Sequence, residues 1–277
     1  MIKSIEEMFS LAGRVVILTG GAGMLGHQYT RVLLLAGARV VVADIRVEIA
    51  KQVAHQAIEE VDGEAFGLGV DVSSKDEVTQ MIDEVLKRWG RIDILINNAA
   101  IDPKFDAKVA NLQTYNFEDY PLKLWQRSLD VNLTGAFLCA QAVGKVMVRQ
   151  GGGVIVNICS TYGLVAPDQR LYKQAEEAEQ TLFKPADYAV TKAGIAQLAR
   201  YLAAYWGDKN IRVNTLTPGG VYNAQDDEFV CKYSARTPMG RMAEKDEMCG
   251  ALLFLASDAS SYMTGANLIV DGGWTTW

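Results

Sequence analysis

The sequence is poor in the residues that metal centres, disulfide scaffolds and serine hydrolases require. It has two histidines, His27 and His55, and neither has a spacing typical of metal ligands, so we predict no metal site. The four cysteines, at positions 139, 159, 231 and 249, form no C-x-x-C pair, and we expect four buried free thiols rather than disulfides. No G-x-S-x-G motif is present, which argues against a Ser-His-Asp hydrolase.

Basic charge and long apolar segments are also scarce. Lys and Arg total 27 against 33 Asp and Glu, which gives a net charge of -6 and a pI of about 5.1. Such a chain is poorly suited to nucleic acid or an anionic membrane as its main partner. We predict that no apolar stretch is long enough to span a bilayer, because the best candidate, 32–45, is interrupted by Arg39. The N-terminus also lacks the apolar run of a signal peptide. We therefore expect a cytoplasmic protein with no nucleic-acid or membrane partner.

What the sequence does contain is an alternation of apolar runs and helical patterns. Strands are predicted at 15–19, 40–43, 65–70, 92–96, 153–159, 211–217 and 267–271, and helices at 25–36, 47–62, 75–89, 124–150, 186–209 and 244–257. This pattern predicts an α/β fold of the Rossmann type, a doubly wound parallel sheet of about seven strands with helices on both faces. We predict one domain over 1–277, with insertions near 101–121 and 164–185 that are typical of functional loops.

A glycine-rich turn, Thr19-Gly20-Gly21-Ala22-Gly23-Met24-Leu25-Gly26, joins the first strand to the first helix. Glycines there let backbone N–H groups approach a pyrophosphate at the positive end of a helix. Asp44 ends the second strand, where it could accept hydrogen bonds from an adenosine ribose and repel a 2′-phosphate, which favours NAD over NADP. Two alternatives stay open: Arg46 could pair with such a phosphate, and Asp44 could be a helix N-cap.

Tyr188 and Lys192 are four residues apart and share one face of a predicted helix. An ammonium beside a phenol lowers its pKa, so the pair is a plausible acid/base device near neutral pH. Because Y-x-x-x-K also occurs by chance on solvated helix faces, its significance depends on the dinucleotide site and on Ser160.

Taken in order, these motifs resemble the short-chain dehydrogenase/reductase family, in its single-domain branch, over residues 13–274. The matching segments are the glycine-rich turn, Asp71-Val72, Asn97-Asn98-Ala99-Ala100, Asn132 in DVNLTGAF, Ser160 in IVNICSTYG, Tyr188 to Lys192, Pro218-Gly219-Gly220 and the closing TGANLIVDGG. The resemblance implies an NAD(P)-dependent oxidoreductase that interconverts a secondary alcohol and a ketone, and a homo-oligomer, either a tetramer or a dimer.

The resemblance also assigns roles to individual residues. It implies that Tyr188 is the general acid/base, that Lys192 lowers its pKa, that Ser160 holds the substrate oxygen, and that Asn132 supports a proton-relaying water chain. The implied cofactor-binding residues are Gly20, Gly23, Met24, Leu25, Gly26, Asp44, Asp71, Val72, Asn98, Ala99, Ala100, Tyr188, Lys192, Pro218, Gly219, Val221 and Asn223. Taken singly, Asn132 could instead mend a helix kink, Ser160 could satisfy backbone groups at a strand end, and Asn98 could be a turn residue.

The chain departs from the family pattern in three places, one of which is Asn223, where many relatives have threonine. Met24 stands where single-domain members commonly have glycine, and the glycines at 20, 23 and 26 have the spacing of the longer, sugar-nucleotide-modifying branch. Tyr188 follows Ser160 by 28 positions, more than is usual, so 164–185 is inserted between two implied catalytic residues.

The two insertions and their surroundings are polar, which suits a hydroxyl-rich ligand. The predicted substrate contacts are Lys104, Asp168, Arg170 and Tyr222, and the predicted substrate is a sugar, polyol or sugar derivative. The segment 164–172 is similar to reductases of surface-glycan (nonulosonic acid) biosynthesis. Two alternatives are a 3-oxoacyl-[acyl-carrier-protein] reductase, which would need a basic docking patch, and a non-catalytic NAD-sensing or scaffold protein. The tail carries Trp274 and Trp277, which are predicted to pack on another subunit unless they fold back on their own.

Overall fold

The apolar runs form one parallel sheet in the computed structural model, which describes residues 3–102, 116–173, 180 and 182–277. Its strands are Val15–Thr19 (β1), Arg39–Asp44 (β2), Glu64–Gly69 (β3), Ile94–Asn97 (β4), Gly153–Ile158 (β5), Ile211–Pro218 (β6) and Asn267–Val270 (β7). They are ordered β3-β2-β1-β4-β5-β6-β7, and every neighbouring pair is parallel. The predicted doubly wound fold is confirmed.

Helices cover both faces of the sheet. They are Ile5–Phe9 (α1), Met24–Leu35 (α2), Val47–Val61 (α3), Lys75–Trp89 (α4), Leu122–Ser128 (α5), Gly135–Gln150 (α6), Ala186–Trp206 (α7), Asp227–Arg236 (α8) and Cys249–Ala256 (α9). Alternate residues of β2 enter two separate cores, because successive strand side chains point to opposite faces. Val41 lies in the core that contains residues of α4, α6 and α7, and Val42 lies in the core that contains residues of α2, α3 and α9.

The helix predicted at 124–150 is not one regular α-helix. It begins at Leu122 and is interrupted by a π-helical turn at Leu129–Thr134 before α6 continues. By length and composition Leu122–Gln150 could cross a membrane, with a mean hydropathy of 1.4 in its best window, so the statement that no stretch is long enough was wrong. Because 56% of that window is buried inside the molecule, we interpret this stretch as a core helix.

Two helices and two thiols also differ from the sequence predictions. The predictions contain neither α1, which begins in a capping box of Ser4 and Glu7, nor α8. All four cysteines are free, but Cys231 is exposed and Cys249 is half-buried, so the expectation of four buried thiols is wrong for these two.

The strand order determines where a ligand site can form. β1 lies between β2 and β4, so the connections run in opposite directions on its two sides. Open α/β sheets bind ligands at this switch point, outside the carboxyl ends of the strands. The predicted site segments follow β1, β4, β5 and β6 and therefore meet at this edge.

Candidate active site at the carboxyl edge of the sheet

The turn after β1 accepts only glycine at two positions. Gly20 has a φ of +63°, and a Cβ there would lie 2.6 Å from the Cα of Ala99. A Cβ on Gly26 would lie 2.4 Å from the carbonyl oxygen of Gly21. Gly23 is the N-cap of α2 and offers no side-chain acceptor to the first-turn amides of Met24 and Leu25. This turn fits the pyrophosphate of a dinucleotide, which would bind amides at a helix N-terminus.

Asp44 is buried at the end of β2 and uses both carboxylate oxygens. Oδ2 accepts from the backbone N–H of Ala22 at 3.0 Å, and Oδ1 accepts from the backbone N–H of Arg46 at 2.9 Å. The Arg46 side chain donates to the same Oδ1 at 3.2 Å and to the Ala22 carbonyl at 2.8 Å. The N-cap of α3 is Arg46, so the alternative that Asp44 is the N-cap does not hold.

Asn98 ties the end of β4 to the end of β1. Its Nδ2 donates to the carbonyl oxygens of Thr19 at 3.0 Å and Gly20 at 2.9 Å. In return, the Thr19 hydroxyl accepts from the backbone N–H groups of Asn98 and Ala99, each at 3.1 Å. These bonds hold the backbone that leads to Ala100 against the glycine-rich turn.

Asp71 and Val72 follow β3. The Asp71 carboxylate accepts from the Ser73 hydroxyl at 2.6 Å and lies 3.7 Å from Arg127. Burial acts to raise the pKa of Asp71, but the Ser73 hydrogen bonds and the Arg127 charge outweigh it, so the pKa is lowered. Val72 packs against Gly135, whose Cβ would meet it at 2.7 Å.

Asn132 is fully buried in the π-helical turn and holds the chain after β4. Its Oδ1 accepts from the Ile101 N–H at 2.7 Å, and its Nδ2 donates to the Ile101 carbonyl at 3.0 Å. Nδ2 also donates to the Thr191 hydroxyl at 3.1 Å, next to Lys192. The alternative that Asn132 mends an irregular helix therefore has support, because the side chain sits in such a turn and its bonds leave the helix.

Ser160, Tyr188 and Lys192 come together despite the 164–185 insertion. Ser160 follows β5, and its hydroxyl is near enough to Tyr188 to act on the pKa of the phenol. The Ser160 hydroxyl also accepts from the Tyr162 N–H at 3.3 Å, as its strand-end alternative proposed. The Lys192 ammonium donates to the Ile158 carbonyl at 2.8 Å and lies 5.7 Å from the centroid of the Tyr188 ring.

The charge states of this pair differ from the expectation. Burial raises the pKa of Tyr188, the carboxylate of Asp102 raises it further, and the Ser160 hydrogen bond opposes both. The expectation that the pKa of this phenol lies below its usual value is therefore wrong in this structure. Burial lowers the pKa of Lys192 to about 8, close enough to neutrality for its protonation to change during a proton transfer.

The segment after β6 is held by its neighbours. Pro218 ends β6, and Gly219 donates to the Val270 carbonyl at 2.9 Å. The Gly220 N–H donates to the Tyr233 hydroxyl at 2.6 Å.

The residues after Gly220 lie outside strand β6. Val221 forms a single bridge with Ala243, and its carbonyl accepts from the Gln225 side chain at 3.1 Å. The Asn223 N–H donates to the same Gln225 at 2.7 Å, and Tyr222 is 42% exposed.

Aromatic residues line one side of the site. Tyr233 stacks on Trp274 with ring centroids 4.1 Å apart, and the Tyr172 hydroxyl donates to that of Tyr162 at 2.9 Å. Trp274 is buried within its own chain, so for this indole the tail folds back as the alternative proposed. Trp277 is 77% exposed and donates to the Arg236 carbonyl at 3.2 Å.

Two predicted substrate contacts, Asp168 and Arg170, lie in the insertion and form hydrogen bonds with each other. Asp168 caps the short helix Gln169–Tyr172, pairs with Arg170 at 2.8 Å and also pairs with Arg236. The Arg170 side chain is 85% exposed, and Lys104 lies outside the described residues. No group of three or more His, Cys, Asp or Glu side chains within the described ranges could hold a metal ion.

Comparison with known proteins decides the family. A family model described as "Enoyl-(Acyl carrier protein) reductase" matches residues 21–275. A D-threitol dehydrogenase of Mycolicibacterium smegmatis is 34% identical over 277 residues, which cover 98% of this chain and 96% of that protein. The chain belongs to the short-chain dehydrogenase/reductase family. As a member, it is an oxidoreductase that acts on CH–OH groups with NAD(P).

Relatives in this family differ in substrate. A 3-alpha-(or 20-beta)-hydroxysteroid dehydrogenase of Mycobacterium tuberculosis is 36% identical over 263 residues, covering 95% of this chain and 90% of that protein. The crystal structure of a gluconate 5-dehydrogenase from Burkholderia cenocepacia in complex with NADP and tartrate has a TM-score of 0.83. It is 34% identical, and the match covers 99% of this chain and 100% of that chain.

The sequence reasoning missed a second lysine at the site of this short-chain dehydrogenase/reductase. Lys184 is 7% exposed, its ammonium lies 4.4 Å from the centroid of the Tyr188 ring, and it pairs with Asp102. It precedes Tyr188 by four residues, just as Lys192 follows it by four. The four-residue spacing between Lys184 and Tyr188 could have indicated this lysine. The indication is weak in the sequence, because α7 begins after Pro185 and Lys184 therefore lies outside the helix.

Proposed function

We propose that this enzyme is an NAD(H)-dependent oxidoreductase that interconverts a secondary alcohol and a ketone on a sugar, polyol or sugar derivative. The observation that carries the proposal is the grouping of Tyr188, Lys192 and Ser160 at the same sheet edge as the glycine-rich turn, with the Lys192 ammonium 5.7 Å from the centroid of the Tyr188 ring. A hydroxyl pair of this kind can hold a substrate oxygen, with the phenol giving or taking the proton.

The protein's own groups perform the proton chemistry. Bound NAD would supply the hydride acceptor or donor. Tyr188 with a raised pKa stays protonated near neutral pH, so it can give its proton to a ketone oxygen that Ser160 orients. Lys192, whose pKa is about 8, can then return a proton to the phenol. Asn132 acts as a positioning residue, because its amide holds Ile101 and Thr191 around this path.

Asp44 supports NAD in preference to NADP. Its carboxylate is buried at the end of β2, where a 2′-phosphate would meet a negative charge. Arg46, the group that could attract that phosphate, is bonded to this carboxylate and to the Ala22 carbonyl. We propose that Gly20, Gly23, Met24, Leu25 and Gly26 hold the pyrophosphate. Around them we propose Asp71, Val72, Asn98, Ala99 and Ala100 on the adenosine side, and Pro218, Gly219, Val221 and Asn223 on the nicotinamide side.

A hydroxylated substrate is supported by the polar groups at Tyr188 and by the relatives that act on threitol and gluconate. The hydroxysteroid relative shows that this family also takes apolar substrates, so the choice depends on the site. The alternative of a 3-oxoacyl-[acyl-carrier-protein] reductase has support in a relative of that name from Thermotoga maritima, which is 31% identical over 268 residues. A net charge of -6 disfavours docking of an acidic carrier protein. The similarity to surface-glycan reductases stays a prediction.

Tyr188→Phe tests the function. Removing the hydroxyl removes the proton donor, and we expect kcat/KM to fall at least about 1000-fold while NADH binding is unchanged. The measurements are initial rates with NADH and NADPH on a panel of keto-sugars and simple ketones, and a fluorescence titration with NADH. Tyr162→Phe, which removes a hydroxyl bonded to Tyr172, is the matched control. Equal turnover by the wild type and Tyr188→Phe would contradict the enzymatic assignment and favour a sensor or scaffold.

We further propose a cytoplasmic homo-oligomer. Four free thiols fit a reducing compartment. An apolar groove between α6 and α7 is lined by residues that include Phe137 and Tyr201, which are 44% and 62% exposed in the single chain. A second copy of the chain, packed on this groove, would cover them, as expected of a tetramer or dimer.

A further inference from the structure

Lys184 is held in place by the insertion rather than by the helix that carries Tyr188. Its backbone N–H donates to the Gln169 side chain at 2.8 Å, and its carbonyl accepts from the same side chain at 3.0 Å. Gln169 in turn begins the short helix that Asp168 caps, and its carbonyl accepts from Gln180 at 2.6 Å. A flexible lysine is thereby fixed at its base, so its ammonium has a defined position.

That position is over the Tyr188 ring, with Asp102 as its ionic partner. The ammonium is nearer to the ring centroid, at 4.4 Å, than that of Lys192, at 5.7 Å. An ammonium has three N–H donors, and among the described residues Asp102 is the one hydrogen-bond acceptor found for this group. Within the described part of the chain its other two donors have no acceptor, at a buried place where an unused donor is costly.

Asp102 supplies the hydrogen-bond acceptor that complements the donors of Lys184. Its side chain is 51% exposed, so its carboxylate is reachable from the site, and it has no N–H to donate. Together the pair offers donors and an acceptor, which is what one alcohol group needs, since a hydroxyl both accepts and donates. The phenol oxygen is attached to the ring under the ammonium, so a substrate oxygen that meets Tyr188 brings its neighbouring carbon close to this pair.

We propose that the Lys184–Asp102 pair is a specificity-determining element that binds a neutral hydroxyl on the carbon next to the reacting one. This deepens the proposed function and depends on it. An apolar neighbouring carbon would leave the Lys184 donors unpaired. A carboxylate there would face Asp102, which already neutralises the ammonium. The enzyme would therefore prefer a neutral vicinal diol to either a simple secondary alcohol or a 2-hydroxy acid.

Three small substrates isolate the neighbouring group. 1,2-Propanediol, 2-butanol and lactate each have a secondary alcohol beside a methyl group and differ in carrying a hydroxymethyl, an ethyl or a carboxylate group. We expect the wild type to oxidise the diol with a kcat/KM at least about 10-fold above that of the other two, the usual effect of a charged hydrogen bond. A wild type that does not favour the diol over 2-butanol overturns the proposal.

Lys184→Met removes the charge and the donors while keeping a long, unbranched side chain. We expect the ratio of kcat/KM for 1,2-propanediol to that for 2-butanol to fall to within about 3-fold of one, because the diol loses more than 2-butanol does, with NADH affinity retained. Lys184→Arg restores donors and should recover most of the ratio, and Lys87→Met, at an exposed lysine of α4, is the control. An equal loss on both substrates would mean that Lys184 acts through Tyr188 or through folding, and overturns the proposal.

Asp102→Asn keeps the shape and one acceptor oxygen but removes the charge. We expect the rate on lactate relative to the diol to rise about 10-fold, because the ammonium then lacks its internal counter-ion. An unchanged lactate ratio overturns the role of Asp102. These ratios separate the two proposals: if Tyr188→Phe is inactive but the ratios do not move, only the specificity element fails, and if Tyr188→Phe stays active the proposed function itself fails.

Discussion

Asp44 shows how one buried carboxylate can serve both structure and selectivity. Its two oxygens hold the Ala22 amide and the Arg46 backbone, so they fix the glycine-rich turn to the end of β2. We propose that the same charge excludes a 2′-phosphate, and it also binds the Arg46 side chain. The sequence gives the position of this residue, but its bonds to Ala22 depend on how β1 and β2 pair.

At this scale we expect Asp44→Asn to change the cofactor preference. The amide keeps an acceptor for the Ala22 N–H but removes the negative charge and releases Arg46, so the NADP/NAD ratio of kcat/KM should rise at least about 10-fold. Initial rates with both cofactors on one substrate measure the ratio. Adding Arg46→Met should remove most of the gain. An unchanged ratio in Asp44→Asn would show that this carboxylate does not face the ribose.

Among the elements, α8 has the most direct connection to the site. Its Tyr233 reaches the segment after β6 and accepts from the Gly220 N–H at 2.6 Å while its ring stacks on Trp274. A Cβ on Gly220 would lie 2.4 Å from Cζ of that ring, so the two are in close contact. The helix thus fixes a backbone segment that we assign to the nicotinamide side.

Tyr233→Phe tests this connection. The stacking is kept, but the part-buried Gly220 amide loses its acceptor, at a cost of about 1–3 kcal/mol in the free energy of unfolding. We expect weaker NADH binding as well, since the segment from Pro218 to Val221 loses an anchor. Urea unfolding and NADH titration measure the two effects. Tyr262→Phe, at a fully exposed tyrosine, should change neither. Wild-type behaviour of Tyr233→Phe in both assays would show that α8 does not hold this segment.

The elements also show which parts of the structure are encoded locally. The strands were predictable, because runs such as Val15–Thr19 are apolar up to the closing threonine and buried on both faces. The π-helical turn at Leu129–Thr134 was not predictable from the local sequence. It accompanies a hydrogen bond between Asn132 and Ile101, which are 31 residues apart. Likewise α8 buries a single residue, Tyr233, although Asp226 caps the helix by accepting from the Phe229 N–H at 2.8 Å. Lys184 was missed for the related reason that the insertion, not the helix, positions it.

At the scale of the whole molecule, the surface of α6 and α7 is the feature that the single chain leaves unexplained. Tyr201 and Tyr205 stack on each other at 6.0 Å and are both more than 60% exposed, at 62% and 64%. Aromatic side chains that are this exposed and next to an apolar groove mark an interaction surface.

We expect Tyr201→Asp to lower the mass of the particle in solution. A charge placed in the groove would be buried without a partner in a self-complementary interface, where it is present twice. Light scattering during gel filtration measures the mass. Leu35→Asp, at an equally exposed apolar residue at the end of α2, is the control and should leave the mass unchanged. If the wild type is itself monomeric, the oligomer proposal fails.

The strand order also determines how the chain can be built during synthesis. β2 joins one edge of β1 and β3 then joins β2, after which β4 returns to the other edge of β1, followed outward by β5, β6 and β7. Each new strand therefore adds to an open edge, and no pair already formed has to separate. The edge of β1 that β4 covers stays uncovered until residues 94–97 have left the ribosome. That interval is when a nascent chain is most exposed to wrong pairing, and the glycine-rich turn is complete before Tyr188 has been made.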